Sequence, residues 1–399
     1  MKPFSIENLP PALLSWYDQH HRSLPWRHPP HAPGAPNPYY VWLSEIMLQQ
    51  TTVPTVISYF QRFVARWPTI KKLAEASLDE VLHAWQGLGY YARARNLHKC
   101  AQYVVQNFSG CLPQDYSTLL TLPGIGPYTA AAIASIAFDD PQPVMDGNIE
   151  RIMARLFAVK TPLPQAKKEL YERTRALTPH ARSGDYAQAL MDLASLLCTP
   201  SNPNCMPCPL LSFCKAGQSA KADAYPKRAA KQEKPTRYGI VYWIERSDGC
   251  VFLRRRPANG LLGGLMELPS CPWAPLSQSI KSRVPHKKLT HHEPVPNFNE
   301  HTPKKELPEL VLNAFSIPDS LFAGAPYLLP DFISHTFTHF HLRLYIAYGT
   351  PSPNLSLEGT WCHPQDFHTK ALPTVMKKVI NYGLTFSKNH PRYAGTKTL

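Results

Sequence analysis

The sequence predicts two domains of different class, an all-α domain followed by an α+β domain. Three observations carry this. The chain has 399 residues, more than one ordinary core accommodates. Apolar residues up to about position 215 recur at helical spacing, as in VWLSEIMLQQT, NIERIMARLF and YAQALMDLASLL. Beyond a basic stretch rich in Ala, Lys and Pro, the runs YGIVYWIER, CVFLRRR and FTHFHLRLYIAYG place β-branched and aromatic residues at period two. The expected boundaries are a helical domain over 1–216, an exposed basic linker over 217–236 and a strand-bearing domain over 237–399.

Composition narrows the function classes. Hydrophobic residues make up 44% of the chain, enough for real cores. The apolar run TAAAIASIAF ends at Asp139 and is too short to span a bilayer, so no membrane role is expected. MKPFSIENLPPALLSWY mixes Glu, Asn and prolines into its apolar residues and does not read as a signal peptide. A reducing, cytoplasmic setting follows as the expectation. There, nine cysteines, an odd number, read as metal or cluster ligands before disulfides. A formal charge of +14 calls for a polyanionic partner, with nucleic acid first among them.

Along the first half, turn signals (RHPPHAPGAPNP, GLGYY, LPGIGP, DDPQP) separate the helices. In LPGIGPYTAAAIASIAF a short helix, DYSTLLTL, ends at Pro123. Gly124 and Gly126 then allow a tight turn, and Pro127 suits the first position of a new helix. Such a hairpin turns backbone N–H groups outward at a helix start, a geometry that binds phosphate without a charged side chain. Asp146 precedes a helix with the apolar stripe Ile149, Ile152, Met153 and Leu156, which makes it an N-cap at the positive end of the dipole. Cys198, Cys205, Cys208 and Cys214 follow with spacing x6, x2, x5, which fits neither a disulfide ladder nor paired zinc knuckles. In the second half, the polar stretch 272–307 reads as a long surface loop.

Taken together, the hairpin, the Asp opening the next helix and the four-cysteine loop resemble the DNA glycosylases that carry a [4Fe–4S] cluster. LPWR, VWLSEIMLQQT, GLGYYARARNL, LPGIGPYTA, MDGNIERIMAR, ALMDLASLLCTP and TFTHFHL are similar, over nearly the whole chain, to the MutY family of adenine DNA glycosylases. The resemblance implies a helix-hairpin-helix glycosylase domain with a cluster loop, joined to an α+β nudix-like domain. It implies excision of adenine opposite 8-oxoguanine or guanine in duplex DNA, by a monomer associated with the nucleoid and working alongside DNA repair or replication proteins. Zinc favours two short knuckles and only one Cys-x2-Cys occurs, so the four thiolates suit a [4Fe–4S] cluster that shapes a basic loop.

The resemblance also implies roles. Glu45 supplies the acid, and its apolar neighbours Trp42, Leu43 and Ile46 are expected to raise its pKa. Asp146 is the stabilising carboxylate, as in glycosidases, and Asn148 supports it and the catalytic water. Trp26 and Arg27 border the adenine pocket, followed by an apparent insertion at 28–38. Gln50 and Tyr90 wedge into the duplex while the base is flipped. Tyr128 stands where glycosylase/lyases carry a nucleophilic lysine, which points to a monofunctional hydrolase with water as the final nucleophile. Asp192 has a supporting role.

RRRPANGLLGGLMELPS is nudix-like, but no Glu-dense helix follows Leu268, so this domain is expected to read rather than hydrolyse. Phe337, Thr338 and His339 match a Phe-Ser-His triplet that reads 8-oxoguanine, with Thr for Ser. A continuous strand through HTFTHFHL would put His335, Phe337, His339 and His341 on one face. Two other readings fit the residues less well. An endonuclease III-like glycosylase/lyase for oxidised pyrimidines is opposed by Tyr128 and the second domain. A non-catalytic lesion-binding protein is opposed by the presence of both Glu45 and Asp146.

Overall fold

A computed structural model of the chain describes residues 6–229, 233–257, 260–276, 311, 315 and 317–389. It forms two compact units, Met1–Lys231 and Gln232–Leu399. Most of the 272–307 stretch lies outside the described residues.

The first unit is helical: α1 (Leu9–His20), α2 (Pro38–Leu48), α3 (Val53–Arg66), α4 (Ile70–Glu75), α5 (Leu78–Ala84), α6 (Ala92–Phe108), α7 (Tyr116–Leu119), α8 (Pro127–Phe138), α9 (Gly147–Leu156), α10 (Lys167–Leu177), α11 (Ser183–Leu196) and α12 (Lys215–Gln218). Local chemistry starts several of them. The Asn37 side chain accepts the Tyr39 N–H ahead of Pro38, and Ser77 with Glu80 closes a capping box on α5. The alanine-rich helix α8 is buried from Thr129 to Ala137, packed against both α2 and α11. Small residues permit that approach. At Gly184 on α11 a Cβ would stand 2.5 Å from the Ser135 carbonyl oxygen, so α8 and α11 meet backbone to backbone.

The basic segment expected to be an exposed tether from 217 is, up to 229, held to the first unit. Leu163 N–H donates to the Lys227 carbonyl (2.8 Å) and Ala229 N–H to the Leu163 carbonyl (3.2 Å). The Arg155 guanidinium of α9 donates to the carbonyls of Ala222 and Tyr225. Composition marked the segment as polar. It could not reveal that a buried arginine would use its carbonyls as partners.

In the second unit, β1 (Thr236–Ile244) runs parallel to β6 (His341–Gly349), and β4 (Tyr327–Leu328) and β5 (Ile333–Thr336) pair with β6 antiparallel. A second sheet joins β2 (Val251–Arg255) to β3 (Met266–Glu267) and to β7 (Thr360–Cys362). Residues alternate between two apolar clusters. Val241, Trp243, Leu344 and Ile346 share one with Val375, Met376 and Val379 of α13 (Thr374–Asn389), while Ile240, Tyr242, Tyr345 and Ala347 share the other with Leu321 and Phe322. Cover on both faces explains why β1 is buried from Gly239 to Ile244.

One expectation is corrected here. The run HTFTHFHL is no continuous strand: β5 ends at Thr336, β6 starts at His341, and 337–340 make a tight turn closed by Phe337 N–H donating to the Phe340 carbonyl (2.9 Å). The physical reason is the stacking of Phe337 on Phe340, with centroids 4.8 Å apart, against Trp273. This buries the apolar residues through a bend, and it removes the single face that would have aligned His335, Phe337, His339 and His341.

Candidate active site

A cavity of about 380 Å³ opens in the first unit between α2, the start of α8, the start of α9, α11 and the 22–27 segment. Glu45, on α2, is 5% exposed. The Tyr128 hydroxyl, in the first turn of α8, donates to its Oε2 at 2.9 Å. Burial pushes the Glu45 carboxyl up to about 7, and the negative charge of Asp146 adds to the rise; the phenol hydrogen bond and the Arg27 charge oppose it. Burial and the neighbouring Glu45 also drive the Tyr128 phenol well above its ordinary value, so it acts as a donor.

Asp146 caps α9. Its Oδ1 accepts the N–H groups of Asn148 (2.9 Å) and Ile149 (2.8 Å), and its Oδ2 accepts Asn148 Nδ2 (2.8 Å). Asn148 Oδ1 accepts Arg151 Nη1 (3.0 Å), which fixes which way the amide faces. Arg151 in turn donates from Nε to the Cys198 carbonyl and from Nη2 to the Ala194 carbonyl. A chain of direct hydrogen bonds thus runs from Asp146 to the first cysteine.

Trp26 is buried, edge-on to Phe60, and Arg27 lies on the same wall. Asp192, fully buried on α11, accepts Arg22 N–H (2.9 Å) and Nε (2.6 Å) and Arg27 Nη1 (2.7 Å). Arg22, Gln188, Met191 and Ser195 also line the cavity, and sequence reasoning did not single them out. Gln188, Met191 and Ser195 shared the helical register of Asp192, a usable signal. Arg22 had none, since its partner is distant in sequence.

At the hairpin, Gly124 has φ +76°, and a Cβ there would stand 2.5 Å from the Asn96 Cβ, so only glycine fits. Gly126 is the extended N-cap before Pro127, and both glycines are exposed. Gln50 lies at the cavity rim with φ +57°. Tyr90, with φ +47° and 51% exposed, stands on a separate loop.

The four cysteines line one small cavity together with Arg155 and Gly217. Arg155, 1% exposed, donates to the carbonyls of Cys198, Thr199 and Pro200 as well as to Cys198 Sγ (3.2 Å); Gly217 N–H donates to Cys214 Sγ (3.3 Å). Burial, then the nearby Cys198 sulfur, pushes the Cys205 thiol up, as burial does those of Cys208, to about 12, and Cys214. Metal binding at such a set therefore requires proton release.

Phe337, Thr338 and His339 form a separate cluster in the second unit. Phe337 is half-buried beside His335, and its carbonyl accepts Lys234 Nζ (3.1 Å), while Thr338 and His339 are exposed on the turn.

The burial of Glu45 has a thermodynamic sign. A carboxyl whose folded-state pKa is raised, here from 4.5 to about 7, favours folding while protonated, and that contribution is lost as pH rises through this window. Glu45→Gln should therefore be more stable than the parent at pH 8, by up to about 3 kcal/mol, and close to it near pH 4. Urea unfolding at the two pH values checks this. A Gln variant no more stable at pH 8 contradicts the buried acid.

Comparison with known proteins agrees with this architecture. Residues 43–179 match the HhH-GPD superfamily base excision DNA repair protein model, and residues 240–382 match the NUDIX domain. The chain is 33% identical to the adenine DNA glycosylase of Homo sapiens, over 92% of this chain and 72% of that protein. It is 33% identical to that of Rattus norvegicus, over 92% and 76%. To that of Buchnera aphidicola subsp. Baizongia pistaciae it is 38% identical, over 65% and 72%. Similarity that runs through both units, and through most of each relative, makes this chain a member of the adenine DNA glycosylase family.

Proposed function

We infer that the chain is a monofunctional hydrolase that removes adenine opposite 8-oxoguanine or guanine from duplex DNA. The observation that carries this is Glu45: a carboxyl poised near neutrality, hydrogen-bonded by a phenol and sharing a cavity with Asp146. Protonated Glu45 delivers its proton to the departing adenine, and the electron pair of the C1′–N9 bond leaves with the base. The Asp146 carboxylate faces the positive charge that develops at C1′. Water then adds to C1′ and gives a proton to the ionised Glu45, which restores the acid. Tyr128 offers no amine for a Schiff base.

The charge of +14, the outward hairpin and the exposed wedge residues support duplex binding. Thr338 and His339, exposed on a firmly held turn, offer a hydroxyl and an imidazole to the opposite base. A location at the nucleoid is the matching cellular proposal. Cys198, Cys205, Cys208 and Cys214 would hold a [4Fe–4S] cluster, which in this reading shapes the loop and takes no part in the chemistry.

Three outcomes are expected. Single-turnover adenine release should fall as pH rises through about 7, and Glu45→Gln should lose roughly 10²–10⁴-fold without losing DNA affinity, as gel shifts would show. A variant at near-parental rate removes Glu45 from the acid role. Second, purified protein should carry about four irons per chain with broad visible absorbance; stoichiometric zinc in their place rejects the cluster. Third, His339→Ala should shrink the preference for 8-oxoguanine over guanine and leave the A·G rate less affected. An unchanged preference assigns the reading elsewhere.

A further inference from the structure

Arg93 is the second residue of α6 and is 8% exposed. Its guanidinium joins two loops that are distant in sequence. Nη1 donates to the carbonyls of Ile46 and Met47, both at 2.9 Å, in the last turn of α2. Nη2 donates to Thr51 Oγ1 (3.1 Å) and to the carbonyls of Leu88 (2.9 Å) and Gly89 (3.1 Å). Its backbone N–H donates to the Tyr90 carbonyl (2.8 Å). The cation also sits 5.2 Å from the Trp85 ring centroid and 5.8 Å from that of Tyr90. Burial pushes it down to about 10, still charged at neutral pH.

Among the residues that Arg93 grips, Thr51 directly follows Gln50 and Gly89 directly precedes Tyr90. Gln50 and Tyr90 are both non-glycine residues in the left-handed region, a conformation that persists only where the surroundings impose it. A wedge entering a base stack is pushed back by the cost of unstacking. Two separate strained loops would yield to that force. Loops tied through one planar, five-donor cation resist it together.

We propose that Arg93 is a positioning residue that couples the Gln50 and Tyr90 loops into one rigid wedge, so that both enter the duplex in register and the adenine is extruded. The proposal rests on the reading of Gln50 and Tyr90 as duplex wedges. It assigns Arg93 to the flipping step and gives it no part in bond cleavage.

The test uses full-length, cluster-containing protein and two duplexes. One carries a stacked adenine opposite 8-oxoguanine. In the other the same adenine is flanked by mismatches that leave it already unstacked. Arg93→Lys keeps the charge but lacks the fork. It should slow single-turnover excision from the stacked duplex on the order of 10²-fold, the scale of a small misplacement. The fluorescence of 2-aminopurine reporting extrusion should fall with it. On the unstacked duplex the rate should return to within a few-fold of the parent, with an unaltered pH profile. Thr51→Val removes one bond of the set and should give a smaller change of the same pattern, which covers the case in which Arg93→Lys fails to fold. Equal loss on both duplexes, or no loss on the stacked one, overturns the proposal. If Gln50→Ala and Tyr90→Ala keep the parental rate on both duplexes, the wedge reading itself fails and the proposal falls with it.

Discussion

A carboxylic acid pressed into a dry wall and held there by a phenol is the interaction on which the rest of the first unit depends. Burial within α2 raises the Glu45 carboxyl to about 7, and the uncharged Tyr128 hydroxyl that α8 brings to its Oε2 opposes that rise without cancelling it. The Gly124–Pro127 turn sets where α8 begins, and its small residues set how closely it approaches α2 and α11. A cation at position 128 would pull the carboxyl down and turn the acid into half of an ion pair. The phenol positions Glu45 while leaving its proton in place.

The second organising theme is the buried arginine that takes carbonyls as partners. Arg93, Arg151 and Arg155 are each at most 8% exposed and direct donors to backbone oxygens at helix ends, Ile46 of α2 and Ala194 of α11, and of the loop at Thr199. Among the described residues none of the three has a carboxylate partner within ion-pair distance. Their charge is solvated by dipoles and not cancelled. Part of the net +14 is thus built into the scaffold, where salt screens it less than it screens lysines on the surface. Asp192 is the contrasting case: it sequesters two arginines at the cavity wall, so the field around Glu45 reflects a partly neutralised pair.

What could be read from the sequence was local. The Gly-x-Gly-Pro turn, the Asp146 cap and the x6-x2-x5 cysteine spacing are each set by a few neighbouring residues, and helical or strand periodicity separated the two units. What escaped was long-range or depended on shape. Arg22 meets Asp192 across most of the unit, and Arg155 reaches carbonyls as far away as Tyr225. The turn at 337–340 was hidden for a different reason. From Ile333 to Phe337 the apolar residues stand at odd positions, and from Phe340 through Leu344 at even ones, so the alternation changes phase at the turn. Reading each run for period two alone passes over that cue, which Phe337 folding onto Phe340 makes plain.

The parallel pairing of β1 with β6 also bears on how the chain comes to be folded. The two strands register residue for residue from Thr236 to Ile244, yet their partners lie about a hundred residues apart. Closing so long a loop must precede any gain from the ladder, which makes the central sheet a late and slow event. During synthesis β1 emerges with its apolar residues exposed and waits for β6, while the helical unit ahead of it is already complete. The interval between those two strands leaves the apolar residues of β1 without their partner, and its length is set by topology before any substrate is met.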